Sequence, residues 1–168
     1  KQYLIIFTIA SILWNLAFYY EYKTPNFFYL IPFLIVIILS YIDKNTEANI
    51  INLVGYFIWV PLFMQKLAVY ANFSHWVDYI FMFYSIMLIL YYFLYNEFGY
   101  IIGASISLIL WEIAFFVTHK TLPNYSFLLP LMIILYLTYQ HKSKVSAAIN
   151  CLSFYLWINL TVITLSNL

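Results

Sequence analysis

The amino-acid sequence predicts an all-α membrane protein: a polytopic bundle of seven transmembrane helices, built as three helices, a linker helix and three more, the two triplets being parallel copies of one unit. Three observations predict it. Of 168 residues, 66% are hydrophobic and 8% charged, against about 25% charged in a soluble domain whose surface faces water. Apolar stretches such as 30–39 and 80–94 run without alternation. Only helices and closed barrels satisfy their own backbone in lipid, and a barrel alternates polar with apolar over segments of about 10 residues, so helices are selected. Finally, residues 12–59 align with 109–157 through one inserted residue, Leu122, with 18 identities in 48 positions.

Polar punctuation places the spans at approximately 3–20, 26–42, 50–70, 76–96, 99–118, 125–140 and 146–166. Each approaches the roughly 20 residues that cross a bilayer. The first could be confused with a signal peptide, since Lys1 precedes it, but it has no small-residue cleavage site and continues into Trp14, Asn15 and Tyr19. The second and sixth begin near Pro32 and Pro130, where a proline bends a helix only slightly. The third holds Pro61 near its middle, where a kink is expected. Short polar connections such as 21–25 and 43–49 make neighbouring helices antiparallel.

The aligned residues include Ile12-Leu13-Trp14 with Ile109-Leu110-Trp111, Lys23-Thr24 with Lys120-Thr121, Pro32 with Pro130, Lys44 with Lys142, Asn52 with Asn150 and Trp59 with Trp157. Spans one, two and three thus match five, six and seven. The expected organisation is a first repeat at 1–70, a linker helix at 71–98 and a second repeat at 99–168. Three crossings reverse the chain and the linker restores its direction, so the copies are parallel about an axis along the membrane normal. Lysine counting sets Lys1, Lys44, Lys142 and Lys144 on the N-terminal side against Lys23 and Lys120 on the other. This puts the N-terminus in the cytoplasm.

A net charge of +1 with no arginine offers no basic face, which excludes nucleic acid as a partner. The single cysteine, Cys151, reads as a small core residue. His75, His119 and His141 fall in loops or at span ends with no pairing at helical spacing. They read as solvated, and neither a metal site nor a cofactor is implied.

Ionisable or strongly polar groups inside spans are expensive and therefore functional suspects. Glu112 in span five aligns with Asn15 in span one, so that position is polar in both copies; Lys66 in span three could pair with Glu112 and relieve both burial costs. Asn52 and Asn150 are aligned, and Trp59 and Trp157 follow each by seven residues, nearly two turns on the same face. Amide and indole on one face, repeated about an axis, could line the path of a small polar solute. Their alternative is interhelical glue.

The layout of three helices, a linker and three helices resembles that of the SWEET sugar transporters and the related PQ-loop and PnuC-type vitamin transporters. That resemblance implies a pocket-like role for Asn52, Asn150, Trp59 and Trp157. The Pro-Gln pair of those families is missing from spans one and five. Leu110-Trp111-Glu112-Ile113 and Leu13-Trp14-Asn15-Leu16 resemble a Leu-Trp-Asp stretch of the membrane-embedded lycopene cyclases, although the paired-glutamate segment of that family is absent.

Three expectations follow. The first is a small-solute transporter with alternating access between the repeats. The second is a non-catalytic integral subunit of a larger membrane complex, such as a respiratory assembly, whose partners are other membrane subunits or a second copy. The third is a membrane-embedded isoprenoid- or lipid-modifying enzyme. The lack of a complete catalytic constellation points away from an enzyme.

Overall fold

A computed structural model describes residues 1–71, 76–120 and 125–167. Seven α-helices account for nearly all of them: α1 (Gln2–Tyr22), α2 (Leu30–Ile42), α3 (Thr46–Ala71), α4 (Val77–Tyr95), α5 (Gly99–His119), α6 (Leu128–His141) and α7 (Lys144–Ser166). Short 3-10 turns at Phe27–Tyr29 and Tyr125–Phe127 lead into α2 and α6. Five helices, α1, α3, α4, α5 and α7, are long and apolar enough to cross a membrane. The spans expected at 26–42 and 125–140 contain helices of 13 and 14 residues, about 20 Å at 1.5 Å per residue. The chain spends the first part of each of these segments on the 3-10 turn, which is why they fall short.

The chain forms two compact units, 1–74 and 75–168. In the first, α1, α2 and α3 pack against one another. In the second, α5 packs against α4, α6 and α7. The helix expected as a linker, α4, therefore belongs to the second unit.

Local chemistry explains where these helices stop. α1, α5 and α6 end on lysines in the left-handed conformation, Lys23 (φ 55°), Lys120 (φ 55°) and Lys142 (φ 51°), and Lys44 just past α2 has φ 50°. A non-glycine residue there carries a steric cost, offset by a cation beside the negative end of the helix dipole. Asn45 and Ser143 open α3 and α7: Asn45 Oδ1 accepts from the Ala48 N–H at 3.2 Å, and Ser143 Oγ from the Ser146 N–H at 3.3 Å. Each satisfies an amide that the helix leaves orphaned. The same two residues donate their own N–H groups back to Ser40 O (2.9 Å) and Thr138 O (3.4 Å). All of these residues occupy aligned positions. Pro32 and Pro130 are each the third residue of their helix, where no intrahelical donor is lost. α3 continues through Pro61 to Ala71, short of one backbone donor.

Burial follows stripes. α1 buries Leu4, Thr8, Ser11 and Asn15, and α5 buries Ile101, Ser105, Leu108 and Glu112 at the same spacing. α5 buries a second stripe, Tyr100, Ala104, Ser107 and Trp111, because α4 packs on it as well. The aligned positions of α1, Tyr3, Phe7, Ala10 and Trp14, are exposed. Phe7, Ala10 and Trp14 border an apolar groove of ≈ 540 Å³ against Phe28, Pro32 and Ile35. The exposed surface is rich in large apolar side chains while Thr8, Ser11, Asn15, Ser40, Asn52, Ser105, Glu112, Ser146, Asn150 and Ser153 are buried. Polar inside and apolar outside suits a chain whose solvent is lipid.

Candidate functional site

Asn52 and Asn150 are each the seventh residue of their helix, and Trp59 and Trp157 the fourteenth. Identical register puts them at matching heights in their own units, but each works locally. The Asn52 amide, 1% exposed, donates to the backbone carbonyl of Phe33 at 3.0 Å and so fastens α3 to α2. Trp59 Nε1 donates to the Asn26 carbonyl at 2.9 Å, while its ring stacks on Phe63 at 4.8 Å and lies near Tyr29 and Tyr56. Asn26 in turn accepts from the Phe28 N–H at 3.1 Å and shapes the turn before α2.

In the second unit Asn150 Nδ2 reaches Thr138 Oγ1 (3.2 Å) on α6 and Ser146 Oγ (3.3 Å) on its own helix, and those two hydroxyls bond each other at 2.7 Å. Trp157 is half-buried beside Phe154 and Tyr125. Asn124, the counterpart of Asn26, lies outside the described residues, as do Leu122 and His75. Asn52 and Asn150 thus each bond across to a neighbouring helix of their own unit, and Trp59 bonds the segment that leads into α2.

Asn15 and Glu112 behave differently. Asn15 is 0% exposed and Glu112 2%, and among the described residues neither the amide of the one nor the carboxyl oxygens of the other have a hydrogen-bond partner. Buried polar atoms are nearly always paired, so an exception calls for an explanation. Lys66 is exposed on α3 and borders a pocket of ≈ 460 Å³ with Phe18, Thr24, Phe27, Phe28 and Phe63. Lys66 is thus a surface residue of the first unit, and Glu112 an interior residue of the second whose carboxyl oxygens have no partner among the described residues.

Two side-chain pairs were not anticipated. Asp78, buried in the first turn of α4, has Oδ2 3.6 Å from Nε2 of His119 at the end of α5. His119 is 24% exposed and stacks on Phe115 at 4.1 Å. His141 shares a hydrogen bond with the Tyr92 hydroxyl and packs on Phe98. His119 is half-buried and His141 is exposed, so both reach solvent as expected, but each also has a fixed aromatic and polar neighbour. Cys151, read as a core residue, is exposed on α7. Among the described residues no three His, Cys, Asp or Glu side chains gather where a metal ion could sit.

No protein-family model matches the chain, and comparison with curated proteins and with solved structures gave no match either.

Proposed function

We propose that this multi-pass membrane protein is a carrier of a small polar solute, built by duplication of a three-helix unit, and that Asn15 in the first unit and Glu112 in the second are solute-binding residues, each within its own unit. The observation that carries the reading is their shared condition: aligned positions, both buried, both without partners among the described residues. A structural polar residue is expected to find a partner; a residue that serves a solute keeps its bonding capacity free. The duplication is supported by the aligned caps Asn45 and Ser143 and by matching burial at Thr8 and Ser105, Ser40 and Thr138, and Asn52 and Asn150. Alternating access requires two bodies, and the chain is made of two compact units.

The test is uptake of a panel of labelled polar solutes by proteoliposomes. Uptake by the wild type that falls at least tenfold in Asn15→Ala and Glu112→Ala supports the reading. Uptake retained in the double variant overturns the assigned pair.

A second reading, a non-catalytic subunit of a larger membrane complex, is favoured by one feature of α1. Tyr3, Phe7, Ala10 and Trp14 are exposed, whereas the aligned stripe of α5 is covered within its unit by α4. Purification in mild detergent separates the readings: stoichiometric co-purifying subunits favour the complex, and a homogeneous single-chain species counts against it.

A further inference from the structure

Gly55 and Tyr29 in the first unit align with Ser153 and Phe127 in the second, and the two exchanges are complementary. A Cβ on Gly55 would run into the Tyr29 hydroxyl, so the phenol oxygen occupies the space a side chain at 55 would take. At the aligned positions the ring has lost its hydroxyl and the helix residue has gained one. Each unit keeps one hydroxyl between these two positions while its carrier changes. Tyr29 Oη and Ser153 Oγ are both buried and, among the described residues, without hydrogen-bond partners.

The neighbourhood of that oxygen follows from register. Ile12 Cγ1 lies 2.6 Å from the Cβ position of Gly55, which fixes the height of α1 against α3, and Asn15 is one turn further along the buried stripe. The same register in the second unit sets Ser153 at the height of Ile109. Glu112 then stands one turn on along the buried stripe of α5, where helical side chains lean back toward the start of the helix and so toward that height. Asn150 precedes Ser153 by one turn on the buried face of α7. Its Nδ2 is committed to Thr138 and Ser146, which leaves Oδ1 without a donor.

We propose that the second unit holds a binding site for a small monovalent cation of alkali-metal type. Its ligands are the carboxylate of Glu112, the amide oxygen of Asn150 and the hydroxyl of Ser153. Hard cations take oxygen ligands of this kind. One carboxylate balances one positive charge, whereas a divalent ion would bring an uncompensated charge into an apolar interior. The first unit has Asn15 in place of the carboxylate and so lacks the charge to do the same. The site is a matter of equilibrium binding and does not depend on whether the chain carries a solute.

The experiment measures radiolabelled sodium bound to the purified full chain in detergent with choline as the background cation. Saturable binding near one ion per chain is expected, competed by lithium or potassium, abolished in Glu112→Gln and weakened about tenfold in Ser153→Ala. Ser153→Gly combined with Phe127→Tyr, which hands the oxygen back to the ring, is expected to retain binding. Size-exclusion elution and helical content identical to the wild type qualify each variant. Absence of saturable sodium or potassium binding by the wild type overturns the site, as does unchanged binding in Glu112→Gln. Unchanged binding in Ser153→Ala, or loss in a correctly folded double exchange, overturns the assignment of the oxygen.

Discussion

The side-chain amide of Asn52 donates to the main-chain carbonyl of Phe33 across 3.0 Å of helix interface. That carbonyl has no residue signature, so removing the amide is the clean way to weigh the tie. Asn52→Ala is expected to destabilise the protein by about 1 kcal/mol, the scale of interhelical hydrogen bonds in membranes. Reversible unfolding in mixed SDS and mild-detergent micelles measures it. A loss indistinguishable from that of an exposed control such as Asn159→Ala would remove Asn52 from the list of ties.

At Gly55, Ile12 of α1 and the Tyr29 hydroxyl occupy the space that a side chain on α3 would need. Gly55→Ala is expected to cost about 1–3 kcal/mol through overpacking. Tyr29→Phe in the same chain is expected to recover part of that, since the second unit combines a Phe, Phe127, with a residue that has a Cβ, Ser153, at the aligned positions. Thermal unfolding of the two single variants and the double variant yields the coupling, and additive losses would contradict the complementary exchange.

Glu112 carries a burial penalty with no bonded compensation among the described residues. Glu112→Gln is expected to raise stability by about 1 kcal/mol or more, because an ionisable group at depth in a bilayer costs at least a few, while lowering uptake. A rise in melting temperature together with loss of solute uptake marks a residue retained for function at the expense of the fold. A fall in melting temperature would mean that Glu112 is a structural group.

His119 lies over Phe115 and beside Asp78. His119→Phe preserves ring packing and removes the polar neighbour of a buried carboxyl, so a loss of about 1–3 kcal/mol is expected, the desolvation cost of a buried polar group left without a partner. The same substitution in an Asp78→Ala background is expected to cost much less. Equal costs in both backgrounds would show the 3.6 Å approach to be energetically idle.

The helices were legible because their cause is local. Apolar runs bounded by polar punctuation specify each helix within its own segment, with prolines in the first turns of α2 and α6 and lysines at the ends of α1, α5 and α6, and seven helices overlap the seven expected spans. The length of α2 and α6 was not legible, since the 3-10 turns depend on contacts such as Trp59 with the Asn26 carbonyl, 33 residues away. The environment of His119 and His141 was hidden for the same reason: His141 meets Tyr92 across 49 residues of chain. Of the candidate site, polarity and register at Asn15, Glu112, Asn52 and Asn150 could be read. Which of them had their bonding capacity consumed could not, because the partner of Asn52 is a backbone carbonyl, Phe33 O, and those of Asn150 are hydroxyls, Thr138 and Ser146, that the pattern does not single out.

The left-handed lysines carry a mechanical consequence. α1 runs 21 residues up to Lys23 and α5 runs 21 residues up to Lys120, rods of about 32 Å at the helical rise, close to the roughly 30 Å hydrocarbon thickness of a typical bilayer. Each rod ends where a cation turns the chain, so the point of reversal and the point of attraction to lipid phosphates coincide. In a thinner membrane these two helices must tilt or the lipid must stretch, which would make the protein a reporter of the thickness of the membrane that holds it.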